Sequence, residues 1–315
     1  MGNTVGGIVV VTGATGRQGG ATARRLLAAG RPVRVLVRDP SAPAAVALAR
    51  AGAEPVRADF DVPASLPPAL EGAAALFAVP PVSYGPGGGD VDREVVRGRA
   101  LADAAVSAGV GHTVFTGVAS TPHDLPVFAG KRRLEEYFRA RLPLVTVLRP
   151  ARFMTNYLRP SLPGLEGIVD GVHRHVFPPD EPVQIVAPED IAEFAALAFD
   201  RPERFGGRVL ELAGDDPTPA EAAAAIGDAI GVGVRYERLS RDEAAALHPE
   251  IADVHGWWAS GQRWRADIEV LRVVHPGLRT LDGWLAESGA AALRTAISGV
   301  SGASGASGGA VSTGG

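Results

Sequence analysis

Ile8-Val9-Val10-Val11-Thr12-Gly13-Ala14-Thr15-Gly16-Arg17-Gln18-Gly19-Gly20 decides how the first half of this chain folds. An apolar run ends in a glycine-rich turn, and a helix-compatible segment, Ala21 to Ala29, follows at once. That is the strand–turn–helix setting in which a pyrophosphate is held. Gly13 allows the tight turn, Gly16 lets backbone approach a ligand, and Gly19 lets the helix start close to the strand. The first helical N–H groups and the positive end of the helix dipole then face the phosphates. The spacing is Gly-x-x-Gly-x-x-Gly, not the more usual Gly-x-Gly-x-x-Gly. A glycine trio alone also suits a turn that holds nothing; it is the context that points to a nucleotide.

The next apolar run, Pro32–Pro40, ends in Arg38-Asp39-Pro40. In a doubly wound sheet this end lies beside the adenosine ribose, where a carboxylate selects NAD through the 2′-hydroxyl. Arg38 stands there instead. A guanidinium suits a 2′-phosphate through paired charge-assisted hydrogen bonds, and Arg17 is placed to approach from the other side. The expected cofactor is therefore NADP(H). Asp39 leaves a second option open, since it could serve a ribose hydroxyl. Glu54–Phe60 reads as a third strand ending in Asp59-Phe60. Asp59 either accepts from the adenine amino group, with Phe60 packed on the ring, or caps a helix starting near Pro63. Ala74–Pro81 reads as a fourth, buried strand whose end at Val79-Pro80 passes the cofactor's centre.

Composition narrows the classes. The chain has 315 residues, 46% of them hydrophobic, and a formal charge of −4. No basic block recommends nucleic acid or an anionic membrane. There is no cysteine, which excludes disulfides and thiolate nucleophiles. No apolar run reaches the length of a membrane span, and the start lacks a secretory pattern. Gly6 stands where myristoylation after Met1-Gly2 wants Ser or Thr. A cytoplasmic protein is the default expectation.

Strands and helices alternate through the first half. Ala64–Leu70, Val91–Ser107 and Lys131–Arg141 are helical by pattern, and Thr113–Thr116 and Leu144–Leu148 are strands. That rhythm predicts an α/β, Rossmann-type, doubly wound parallel sheet with a smaller α+β carboxyl-terminal subdomain. The loop Ser83–Gly89 is either a mobile substrate lid or a tolerated surface insertion. After Pro150, Val176–Pro179 and Val183–Val186 read as short strands, Ile191–Phe199 as a helix, and Val209–Ala213 and Arg235–Leu239 as strands. Thr218 should cap Pro219–Ile230, and Ser240-Arg241-Asp242-Glu243 is a capping box. The expected division is a nucleotide-binding domain over 1–155, a substrate-binding subdomain over 156–290 and a disordered Gly/Ser/Ala-rich tail over 291–315. Substrate would bind in the cleft between the first two.

Val11–Gly19, Val35–Pro40, Phe77–Pro81, Gly130–Tyr137, Leu148–Asn156, Ala266-Asp267-Ile268 and Leu281–Leu285 together resemble the NmrA-like group of atypical short-chain dehydrogenase/reductases. The resemblance runs from about Val5 to Glu287. It implies a Rossmann-type domain that binds NADP(H) and a smaller substrate domain. Some members of the group reduce quinones or carbonyls, and others report redox state to partners. The implied cofactor contacts are Gly13, Thr15, Gly16, Arg17, Gln18, Gly19, Arg38, Asp59, Phe60, Val79, Pro80 and Lys131, with Lys131 also the catalytic candidate and no metal.

Short-chain dehydrogenases usually carry Tyr-x-x-x-Lys, the tyrosine acting as acid. Lys131 fits the lysine, but Val127 stands four residues before it, and Tyr137 lies too far along the helix. The proton donor is missing from its usual place. Lys131 is expected to hold the nicotinamide ribose rather than to be the acid. Thr116 and Ser120 are polar groups near the expected substrate, or simply local caps. His173-Arg174-His175 reads as solvent-exposed strand without a third ligand for a metal, and His123-Asp124 as an ordinary loop pair. Trp257, Trp258 and Trp264 are either core or, within Asp253–Trp264, a cover for a flat substrate. Gly-x-Ser-x-Gly and His-Glu-x-x-His are absent, which sets esterase and zinc-protease chemistry aside. The sequence favours NADPH-dependent reduction of a quinone, enone or small carbonyl. A non-catalytic NADP(H) sensor with a protein partner is the alternative, and a cofactor-assisted epimerase a third.

Overall fold

The β-branched runs of the first half become short strands buried on both faces, as a sheet covered by helices on each side requires. The computed structural model describes residues 6–81, 84–85, 88–120, 125, 128–159 and 165–304. Seven strands form one parallel sheet: β1 (Ile8–Val11), β2 (Val33–Val37), β3 (Glu54–Arg57), β4 (Ala73–Ala78), β5 (His112–Thr116), β6 (Val145–Pro150) and β7 (Val209–Leu212). Their order across the sheet is β7-β6-β5-β4-β1-β2-β3, so the winding reverses between β1 and β4. Val11 pairs with Val35 on one side and Phe77 on the other.

Successive residues of each strand point to opposite faces. Val9, Val11, Val35 and Phe77 pack under α1 (Arg17–Ala28) and α6 (Pro188–Asp200), where Ile191, Phe194 and Phe199 are buried. Val10, Leu36, Leu76, Phe115 and Val147 pack under α3 (Leu66–Leu70), α4 (Val91–Ser107) and α5 (Ala129–Arg141). The short α2 (Pro43–Arg50) lies between β2 and β3 in the chain. The α4–α5 contact is reciprocal. A Cβ on Gly98 of α4 would stand 2.4 Å from Leu134 Cδ1 of α5, and one on Gly130 of α5 would stand 2.4 Å from Glu94 Oε2 of α4. Each glycine is the hole for the other helix's knob.

Helix α1 begins at Arg17, four residues earlier than Ala21. Gly19 and Gly20 are poor helix formers, but their lack of side chains is what lets this turn sit on the end of β1. The sheet also takes β7 and its covering helix α6 from beyond residue 155. Around it, Ile168–Val169, Val172–His175 and Arg235–Arg238 form a three-stranded sheet, backed by α7 (Pro219–Ile230). Thr218 and Ser240 complete capping boxes with Glu221 and Glu243, at the starts of α7 and of α8 (Arg241–Leu247).

Three expectations need correction. Val172–His175, not Val176–Pro179, is the strand, because it pairs with Ile168–Val169 and Arg235–Arg238. Only Ile185–Val186 of Val183–Val186 is strand. Residues 291–304, expected in a disordered tail, belong to a helix over Ala290–Ser304. Leu293 is fully buried there and Ile297, four residues on, packs on the same cluster, an apolar stripe that the alanine-rich composition hides. Residues 305–315 lie outside the described residues. In the loop 83–89, Tyr84–Gly85 pairs antiparallel with Gly88–Gly89, while Ser83, Pro86 and Gly87 lie outside. His123, Asp124 and Val127 do too. Among the described residues no helix is long and apolar enough to cross a membrane, and no cluster of His, Asp or Glu could hold a metal.

Candidate active site

The reversal of winding between β1 and β4 opens a crevice at the carboxyl ends of the strands, the place where open α/β sheets bind ligands. Thr12 fixes its floor. The hydroxyl donates to Val79 O at 3.2 Å and accepts from Val79 N at 2.8 Å, tying the end of β1 to the end of β4. Gly13 turns the chain at φ +61°, where a side chain would be strained, with the Val79 side chain 3.1 Å from the position of a Cβ. Gly16 N–H closes the turn on Gly13 O at 2.9 Å, and Gly16 is the N-cap of α1. A Cβ on Gly19 would fall 2.4 Å from Gly13 O and 2.5 Å from Thr12 O. The helix can approach β1 this closely only with glycine there. No side chain caps α1, and no acidic residue occupies its first turn. Its leading N–H groups and dipole therefore face outward over exposed Thr15 and Gly16. These features fit a bound pyrophosphate.

On the β2 side, Arg38 is exposed. Asp39 is turned away into a local bend: its Oδ1 accepts from Ser41 N at 2.9 Å and Ser41 Oγ at 2.6 Å. The Ser41 hydrogen bonds hold its carboxyl below the usual range. Asp59 Oδ1 accepts from Asp61 N at 2.9 Å, within the bend that leads to Pro63, so one oxygen serves a turn. Phe60 packs on the core beside α3 and α4. Arg17 does not join Arg38. It reaches the opposite way, donating to Asn156 Oδ1 at 2.6 Å, because Asn156 follows β6, across β1 from Arg38.

On that other side, Thr116 at the end of β5 donates to Gln18 Oε1 at 2.6 Å, joining α1 to the strand end. Lys131, in the first turn of α5, makes an ion pair with Glu94 of α4 and donates to Pro80 O at 3.3 Å. The Glu94 side chain is 3% exposed. Burial pulls the Lys131 ammonium below the usual lysine value, and Glu94 opposes the shift. Lys131 also lines a cavity of about 200 Å³ with Val118, Ser120, Arg132, Glu135 and Arg149. Arg149 grips Glu135 with two bonds, at 2.9 and 2.7 Å, and reaches Glu211 at 3.0 Å and the Ser120 hydroxyl. Glu135 and Glu211 hold it charged. Ser120 thus serves a network on the cavity wall.

The histidine pair is not exposed strand. His173 and His175 are 3% and 6% exposed and face a buried Arg152–Glu166 ion pair. Burial disfavours the Glu166 carboxylate, but Arg152 and His175 outweigh it and hold the group well below the usual carboxylate range. Burial, aided by Arg152, pushes His173 down to about 3. Asn156 connects this cluster to Arg17. Trp257 and Trp258 are core, with indole N–H groups bonded to Gln262 and Glu181. Trp264 alone reaches the strand ends, packing on Ala119, Ala151 and Ala213.

Glu94, Asn156 and the cavity-wall residues Val118, Arg132, Glu135 and Arg149 are the site residues that sequence reasoning missed. A signal for Glu94 existed: it falls on the apolar stripe Val91, Val95, Gly98, Leu101, Ala102 of α4, where a lone carboxylate needs a partner. Asn156 offered only its place after Leu148–Phe153.

The order of strands, the reversal between β1 and β4 and the glycine turn define a Rossmann-type α/β protein. The chain belongs to the NmrA-like family, whose model matches residues 6–253. It is 31% identical over 280 residues to the NmrA-like family domain-containing oxidoreductase FrzB of a Cladobotryum species, covering 78% of this chain and 81% of that protein. It is 32% identical over 297 residues to a (4-alkanoyl-5-oxo-2,5-dihydrofuran-3-yl)methyl phosphate reductase of Streptomyces griseus, covering 90% and 99%. Among solved structures, it is similar to an NADPH-dependent quinone oxidoreductase of Escherichia coli, with 26% identity, a TM-score of 0.68, and 89% and 98% of the two chains covered.

Proposed function

We propose that this protein binds NADP(H) and reduces a quinone, enone or small carbonyl. The reading is carried by one juxtaposition: an uncapped α1 behind the glycine turn, and Lys131 on a cavity across the same strand ends. The turn of Gly13, Thr15, Gly16, Gln18 and Gly19 would hold the pyrophosphate on helix N–H groups. Arg38 would take the adenosine 2′-phosphate, with Asp59 and Phe60 beside the adenine. Val79 and Pro80 would pass the middle of the cofactor, and Lys131 would reach the nicotinamide ribose. Arg17, bonded to Asn156, would serve the nicotinamide half rather than the 2′-phosphate. The cofactor supplies hydride chemistry. The chain supplies orientation, a wall of Ser120, Arg149 and Glu135, and Trp264 as an apolar surface. Two of the relatives are reductases of an oxo-dihydrofuran phosphate and of quinones, which favours a conjugated carbonyl acceptor.

The test is loss of nicotinamide absorbance against a panel of quinones, enones and aldehydes, with NADPH binding titrated in parallel by its fluorescence. Turnover that vanishes when the glycine turn is disrupted supports the reductase. Tight NADPH binding with no turnover across the panel refutes it and selects the sensor.

A further inference from the structure

Arg17, the guanidinium expected to join Arg38 around the adenosine 2′-phosphate, is bonded to Asn156 on the other side of the crevice. Another cation stands at the vacated corner. We propose that Arg57, the last residue of β3, is the second arginine of the 2′-phosphate site and shares with Arg38 the selection of NADP(H) over NAD(H). The proposal deepens the NADP(H) reading above and rests on it.

Three observations carry it. The first is register. Val37 pairs with Arg57, and Ala58 N–H donates to Val37 O at 2.9 Å, so β2 and β3 stay joined up to the residue before Arg38. Neighbouring strands lie about 4.8 Å apart, so both arginines leave the same corner of the sheet. Paired residues present their side chains to one face. Val37 packs with Ala45 and Leu48 of α2, which puts Arg57 on the α2 face, beside the bend of Asp39 and Ser41.

The second is charge. Arg38 and Arg57 are both exposed, and neither makes a hydrogen bond or an ion pair among the described residues. Arg34, earlier on β2, is instead bonded to Glu54 at 2.8 Å. Two carboxylates of this corner already serve backbone: Asp39 Oδ1 accepts from Ser41 N and Asp59 Oδ1 from Asp61 N. After the Ser41 hydrogen bonds, Arg57 helps to hold the Asp39 carboxyl below its usual range, so its charge is felt at the residue next to Arg38.

The third is the helix that follows. α2 starts at Pro43 with no side-chain cap and no acidic residue in its first turn, so its positive end adds to the same corner. An arginine needed only to keep another strand off this edge gains nothing from standing at the carboxyl end. A phosphate dianion accepts paired bonds from two guanidiniums at once, and its charge offsets their repulsion. The ribose hydroxyl of NAD(H) offers no such compensation, so the pair acts against NAD(H) as well as for NADP(H).

The experiment titrates NADPH and NADH, by nicotinamide fluorescence, into wild-type protein, R57Q, R57K and the double variant R38Q/R57Q. Displacement by adenosine 2′,5′-bisphosphate and by 5′-AMP isolates the adenosine half, and urea melts check the fold. R57Q should lose about ten-fold or more in affinity for NADPH and for the bisphosphate. NADH and 5′-AMP should bind it as they bind the wild type, at an unchanged urea midpoint. R57K keeps the charge without the fork and should fall between. The double variant should hold NADPH no tighter than NADH. A wild type that prefers NADPH alongside an R57Q with the same preference overturns the proposal: Arg57 is then a solvated edge residue. Equal losses for NADPH and NADH also overturn it, since the role is then structural. A wild type that binds NADPH and NADH alike refutes the NADP(H) reading itself, a distinct outcome.

Discussion

Gly19→Ala and Gly16→Ala differ by the same methyl group but should fail in different ways. At Gly19 the new Cβ lands 2.4 Å from Gly13 O and 2.5 Å from Gly13 C and Thr12 O, all backbone. Relief to an ordinary contact of at least 3.4 Å needs about 1 Å of helix movement, which in a packed interior costs roughly 1–3 kcal/mol. Helix α1 cannot retreat freely, because Arg25 is bonded to Glu193 of α6 at 2.6 Å and Leu26 is fully buried. G19A should therefore lower the urea midpoint at unchanged m-value, and weaken NADPH binding as the N–H groups move. At Gly16 the Cβ meets only Gly13 O, at 3.2 Å, and otherwise points to solvent. G16A should keep wild-type stability within about 0.5 kcal/mol. It should nevertheless lose at least about ten-fold in NADPH affinity, or 1.4 kcal/mol, because the methyl occupies the phosphate's place. Urea melts and fluorescence titrations of both variants decide. If G16A binds NADPH like the wild type, the pyrophosphate does not lie on this turn. If G19A melts like the wild type, the close packing of α1 on β1 is wrong.

Arg38→Asp should lower the ratio of NADP to NAD affinity at least ten-fold, since it exchanges about 1.5–3 kcal/mol of charged hydrogen bonding for repulsion; an unchanged ratio in paired titrations rules Arg38 out. His173, pushed down to about 3 in the folded chain against about 6.5 unfolded, binds its proton only on unfolding within that window. Stability should accordingly fall as pH drops from about 6.5, by about 2 kcal/mol at pH 5 from this residue alone. His112, pushed down to about 4 by burial, adds in the same sense. Urea midpoints between pH 7 and 5 should decline less steeply in His173→Gln; identical slopes would mean that His173 is hydrated. Thr218→Ala removes the cap that accepts from Glu221 N at 3.2 Å and should cost about 1 kcal/mol in thermal melts, with NADPH binding intact.

Local rules recovered what local chemistry determines. The glycine turn, strands β1 to β6, the Thr218 cap and the Ser240 capping box follow from period, propensity and spacing within a dozen residues. What stayed hidden depends on distant partners. His173 and His175 alternate with Arg174 like any half-exposed strand; that the far side carries Arg152 and Glu166 is a fact of tertiary packing. Arg17 was paired with Arg38 because both suit a phosphate, yet the strand order puts Asn156 within its reach instead. Glu94 and Lys131 are 37 residues apart and meet only because two glycines let α4 and α5 close up. The helix over residues 291–304 is hidden from composition, which weighs every residue equally, while two well-spaced apolar side chains suffice to dock a helix.

The sheet's dependence on α6 bears on how the chain is made. By the time residue 150 has been synthesised, six strands exist and one face can close under α3, α4 and α5. The opposite face still lacks Ile191, Phe194 and Phe199, which arrive with residues 188–200. At typical translation rates those 50 residues take about 3–10 s. For that interval the nascent chain presents Val114, Leu148 and their neighbours to the cell as bare apolar surface, a natural target for a chaperone that shields one side of an incomplete sheet. A ribosome stalled near residue 155 should hold a sticky half-sandwich, while one stalled late enough to release α6 should hold a quiet one.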